Sequence, residues 1–131
     1  NKNVFHLGAF SDDQLLVTSL LTHADLFVMP NLKSPNDFEG FGLVALEAAA
    51  SGTLTVASNV DGIPSAIQHG FNGILVEPGQ PELWVSTLEK LLNDDEIREA
   101  KSKEFQDNIM KDQFSWDSMA HGYLKIFRKV I

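Results

Sequence analysis

Four short apolar runs constrain this chain most: Asn3–Leu7, Leu26–Pro30, Thr53–Ser58 and Ile74–Val76. Each has the length of a strand, the third is rich in β-branched residues, and all four are expected to be buried. Stretches with helical spacing separate them. Ser11–Gln14 reads as a capping-box start with acids in the first turn, leading a helix to about His23 on Leu15, Leu16, Ser19, Leu20 and Ala24. Leu43–Ser51 is apolar nearly all round and is stopped by Gly52 at C′, which predicts a short helix packed on most sides. The turn Asn59–Gly62 precedes one or two helical turns over Ile63–Ile67, with Pro64 at their start. Pro81 opens a helix through about Leu92, with Leu83, Trp84, Thr87, Leu88, Leu91 and Leu92 on one face. A charged helix follows Asn93–Asp95. Ser115–Asp117 breaks it and caps a last helix, Ser118–Val130, with Tyr123, Ile126, Phe127 and Val130 facing inward. Strands alternating with helices predict an α/β fold, a parallel sheet flanked by helices.

The chain has 131 residues, 44% of them apolar, enough for one domain with one core. Its formal charge of −8 repels nucleic acid and anionic lipid, so a nucleotide ligand would have to be met by local backbone N–H groups. There is no cysteine, which excludes disulfides and thiolate zinc sites and suits a reducing cytoplasm. No apolar run reaches the roughly 20 residues of a membrane span, and nothing resembles a signal peptide.

Chemistry concentrates in Phe38–Gly52. Glu39 and Glu47 are separated by eight positions, roughly 12 Å along a helix axis and about 80° around it. That spacing suits two ends of one elongated ligand and exceeds what a glycosidase pair requires, roughly 5 to 9.5 Å. Gly40 and Gly42 allow a sharp turn that points the free amides of a helix N-terminus outward, where phosphate oxygens bind. A ligand with hydroxyls at both ends and negative charge between them is a nucleotide-diphosphate sugar. Structural readings exist beside this one. A first-turn Glu39 is also a favourable dipole partner, and Glu47, expected on a buried helix, needs a hydrogen-bond partner or a pKa raised by desolvation. Lys33 reads most simply as a solvated loop lysine. His6, His23, His69 and His121 lack metal-ligand spacing, and Trp84, Trp116, Tyr123 and Phe127 sit at spacings that packing explains.

The stretch Glu39–Gly52 resembles the E-x7-E signature of retaining glycosyltransferases with two Rossmann-like domains, the group that includes family 4. Val4–Gly8, Ala24–Pro30, Val56–Pro64 and Gly70–Pro78 match the same family in order and spacing. The resemblance covers residues 3 to about 93 closely and implies a Rossmann-like, GT-B type fold. It also implies roles: Glu39 contacts donor-sugar hydroxyls near the reacting face, Glu47 holds the ribose hydroxyls, and the backbone of Gly40, Phe41, Gly42 and Leu43 lies against sugar and diphosphate. Glu39 then acts by positioning and electrostatics, with no protein nucleophile and no obligatory metal or other cofactor. Asp61–Ser65 departs from the family's Gly-Gly-x-Pro-Glu, so Gly62 and Pro64 are read as turn formers. The Arg and Lys that grip the diphosphate in the family would lie on an earlier strand–helix unit.

Residues 1–131 are thus expected to be a single partial domain, the donor-binding part of a longer enzyme and inactive alone. The acceptor, a sugar, lipid or polysaccharide, would be held by the other domain. For many relatives it lies at the inner face of the membrane, which implies a cytoplasmic protein. Two other readings share the architecture: a nucleotide-sugar 2-epimerase, against which the full signature argues, and a non-catalytic nucleotide-binding module, which the presence of both Glu39 and Glu47 disfavours.

Overall fold

All five residues of the strand Leu54–Ser58 are buried, and the rest of the fold is arranged around them. The computed structural model describes residues 3–9, 13–35, 40–111 and 115–130. In chain order the elements are α1 (Gln14–His23), β1 (Leu26–Met29), α2 (Leu43–Ala50), β2 (Leu54–Ser58), α3 (Ile63–Ala66), β3 (Ile74–Val76), α4 (Pro81–Leu92), α5 (Asp95–Ile109) and α6 (Trp116–Val130). The strands form one parallel sheet in the order β1-β2-β3. Val28 lies opposite Val56, which lies opposite Ile74, so matching strand positions face the same layer.

Strand alternation divides the core in two. Phe27, Met29, Ala57 and Leu75 pack beneath α2 and α3, meeting Ala45, Leu46, Ile63, Ala66 and Ile67. Leu26, Leu54, Val56, Ile74 and Val76 pack beneath α4 and α5, meeting Trp84, Leu88, Leu91 and Phe105. Helices on both faces of a parallel sheet make the predicted α/β arrangement. Gly73 admits β3 to this core. A Cβ there would stand 2.6 Å from Ile67 Cγ2 and 3.3 Å from the Thr55 carbonyl, closer than side chains pack. Asn72 holds the preceding turn, fully buried, accepting from Gln68 N at 2.7 Å and donating to Ala66 O at 2.9 Å.

The structure departs from the sequence reading in several places. Residues 3–9 form no strand, and Val4, Phe5 and Leu7 are exposed, Phe5 by 79%. A strand exists only where a neighbour takes its N–H and C=O groups, and this segment is paired with neither edge of the three-stranded sheet. Among the described residues three strands therefore form where four were expected. The cap of α1 is Asp13, whose carboxylate accepts from Leu16 N at 2.9 Å; Ser11 and Asp12 lie outside the described residues. No α1 residue is buried, and Leu15 is 86% exposed. On α4 the inward face is narrower than its periodicity suggests, since Leu83 and Leu92 are exposed. The last helix is capped by Ser115 as expected, its hydroxyl accepting from Ser118 N at 3.1 Å. Its supposed inner side faces water: Tyr123, Ile126 and Phe127 are all exposed, the two rings stacked on each other with centroids 6.5 Å apart.

Candidate functional site: the groove beside helix α2

The backbone enters α2 through Gly42, whose φ of 71° and ψ of 42° are left-handed. Such a conformation strains any residue with a Cβ. Gly42 is also packed, since a Cβ there would sit 3.5 Å from Ile63 Cγ1. Among the described residues no side chain caps α2; Ala45 N donates to Gly42 O at 2.9 Å, and the Leu43 and Val44 amides and the positive end of the dipole are left to whatever approaches Phe41–Leu43. Gly40 and Phe41, just before this turn, are exposed. Glu39 lies outside the described residues.

The far end of α2 is anchored. Gln106 Nε2 on α5 donates to Ala50 O at 2.9 Å, the Ser102 hydroxyl donates to Gly52 O, and the Thr53 hydroxyl donates to Leu21 O. Gly52 has a φ of 85°, the expected C′ conformation. One end of α2 is therefore held by α1 and α5, while the other opens outward.

The expectation that α2 is buried nearly all round is corrected. Ala45, Ala48 and Ala49 are buried, Ala45 in the cluster with Met29 and Ala57 of the sheet, whereas Leu43, Val44 and Glu47 are exposed. An all-apolar helix buries only the faces that have neighbours, and here a broad side of α2 has none. Glu47 accordingly needs no buried partner, and its carboxylate makes no hydrogen bond or ion pair among the described residues.

Leu43 and Glu47, one helical turn apart, point to the same side. With Phe41 they line an open groove of about 560 Å³, whose other wall is Ile109, Trp116 and Met119. That volume is typical of small-molecule sites. Sequence reasoning identified Phe41, Gly42, Leu43 and Glu47 but assigned Trp116 to packing. Trp116 is instead 82% exposed. No local signal could have placed it, because helical spacing does not tell whether a neighbour covers the ring. Trp84 does pack, and its indole N–H donates to Glu77 O at 3.1 Å.

The histidines stay outside the groove. His69 Nδ1 accepts from Leu75 N at 3.0 Å and braces the β3 turn, while His23 and His121 bond to carbonyls within their own helices. Among the described residues no group of three His, Asp or Glu side chains could hold a metal, and no helix is long and apolar enough to cross a membrane.

Comparison with known proteins fits this geometry. The family model described as glycosyl transferases group 1 matches residues 1–108. The D-inositol 3-phosphate glycosyltransferase of Corynebacterium urealyticum is 33% identical over 87% of this chain, and that of Paenarthrobacter aurescens is 36% identical over 97%. The chain spans only 25% and 33% of those two proteins. Among solved structures, TarM superposes with a TM-score of 0.74 at 27% identity, covering 96% of this chain and 24% of TarM. The C-terminal domain of the group 1 family protein LpcC from Francisella tularensis gives 0.65 at 29% identity, over 79% of this chain and 51% of that domain. Anabaena HepE, solved with UDP, gives 0.67 at 21% identity, over 84% of this chain and 29% of HepE, a likeness of fold. These neighbours are GT-B glycosyltransferases, and the chain belongs to the group 1 glycosyl transferases.

Proposed function

We propose that this chain forms the donor side of a retaining, family 4 type glycosyltransferase that takes its sugar from a nucleotide diphosphate. The observation that carries the reading is the Glu47 carboxylate, exposed and, among the described residues, without a partner, in the same groove as an α2 N-terminus that no described side chain caps. A carboxylate accepts hydrogen bonds from a vicinal diol, and free helix amides donate to phosphate oxygens. The two sets belong to one ligand that carries both groups. On this reading Glu47 holds the ribose hydroxyls, and Gly40, Phe41, Gly42 and Leu43 lay their backbone against diphosphate and sugar. Glu39 contacts the donor sugar near the reacting carbon. The leaving diphosphate is stabilised by amides and by basic residues from elsewhere in the longer protein, with no obligatory metal. The UDP bound to HepE fits a nucleotide-sugar donor, and the D-inositol 3-phosphate in the curated relatives' name fits a polyol acceptor; the acceptor, a sugar, lipid or polysaccharide, would be held by the other domain. The protein would work in the cytoplasm.

Product analysis tests this directly. The longer protein, given labelled UDP-, GDP- and ADP-sugars with candidate acceptors, should yield a glycoside whose anomeric configuration, read by NMR, is that of the donor. An inverted glycoside would contradict the retaining assignment, and a free epimerised sugar would contradict transfer altogether.

A further inference from the structure

Trp116 is unlike a packing tryptophan. Its ring is 82% exposed and its indole N–H has no partner among the described residues, whereas Trp84 is packed with its N–H bonded. An exposed indole on a groove wall is a flat apolar surface awaiting a flat apolar ligand face. Phe41, Leu43 and Leu46 line the same groove, and Glu47 is its charged side chain among the described residues. Aromatic walls with a carboxylate could also suit an organic cation. The positive end of the α2 dipole at Phe41–Leu43 opposes that and favours an anion at the same end. A ligand meeting all three conditions has a flat ring system, a diol and a phosphate. We propose that Trp116 is the stacking wall for the nucleobase of the ligand whose ribose Glu47 holds. The assignment rests on the donor-site reading above and adds to it a residue from α6 that binds the base by its face. Stacking is tolerant of base identity, because every base has a π-face. Trp116 thus supplies affinity, and selection among bases falls to hydrogen bonds elsewhere.

The test uses Trp84→Phe, which leaves Trp116 as the sole tryptophan, and titrates the chain with UDP, GDP and ADP. Fluorescence reports on the indole, and ligand-observed NMR reports on binding independently. The expected result is quenching of Trp116 emission along the same isotherm that NMR gives. Trp116→Ala should weaken binding about five- to tenfold, at the lower end of base stacking because the groove is open. Trp116→Phe should recover most of that loss. Nucleotide binding seen by NMR with unchanged Trp116 emission and unchanged affinity in Trp116→Ala would overturn this assignment and leave the donor-site reading standing. Absence of binding for all three nucleotides would overturn both. Because Trp116 is exposed, its variants should keep the circular dichroism of the parent, which separates lost stacking from lost fold.

Discussion

On the α4–α5 side of the sheet Phe105 and Leu91 are covered and Arg98 is paired; on the α2–α6 side apolar side chains stand open around Glu47. Phe105 is 2% exposed among Leu54, Val56, Val76 and Leu91. Above it Arg98 joins three parts of the chain, 2.6 Å from Asp95, 3.1 Å from Asp25 and 3.3 Å from Leu91 O. The hydrogen bond to Asp95 raises the Arg98 pKa against the opposing effect of desolvation, and the nearby Asp95, Asp25 and Glu99 charges add to the rise. Facing the groove, by contrast, Trp116, Leu43 and Phe41 are exposed, and Glu47 has no partner among the described residues. The proposed function assigns the open surface to a ligand. Substitutions should therefore cost fold on the first side and binding on the second.

The largest effect on stability is expected at Phe105. Phe105→Ala should destabilise by about 3–5 kcal/mol in chemical denaturation, as for a buried aromatic. Trp116→Ala and Phe127→Ala should stay within about 0.5 kcal/mol of the parent. Equal losses at Phe105 and Phe127 would break the contrast by showing that α6 is packed in solution. Gly73→Ala should cost about 1–3 kcal/mol, because its Cβ would overlap Ile67 in a filled core; an unchanged midpoint would mean that the β3 turn yields. Ser58 offers an effect of opposite sign. Its hydroxyl is fully buried without a partner among the described residues, so Ser58→Ala should stabilise by about 1 kcal/mol. The smallest change is expected for Arg98→Met, a slight fall in midpoint that shrinks further in high salt as the Asp25 and Asp95 attractions are screened.

Legibility in the sequence followed the same division. β1, β2, β3 and α4 were readable because their signals are local: β-branched runs bounded by turns, Pro81 at a helix start, Gly52 at a helix end. The groove's α2 side was readable for the same reason, in Phe41, Gly42, Leu43 and Glu47. What failed depended on neighbours. Asn3–Leu7 has the composition of a strand but no edge to join, and Tyr123, Ile126 and Phe127 have helical spacing with nothing to pack against. Periodicity reports which face a helix would bury; it carries no information on whether a neighbour is there. Glu47 was misread as buried for that reason. Trp116 was missed because its proximity to α2 arises from the path of α5 and α6, tens of residues away in sequence.

The central claim is that Glu47 is one end of a nucleotide site. Calorimetric titration of the parent chain and of Glu47→Ala with UDP, GDP and ADP tests it most directly. Binding of at least one nucleotide is expected, weakened about tenfold or more when the carboxylate that holds the ribose hydroxyls is removed. A nucleotide affinity identical in parent and Glu47→Ala, or no binding to either, would contradict it.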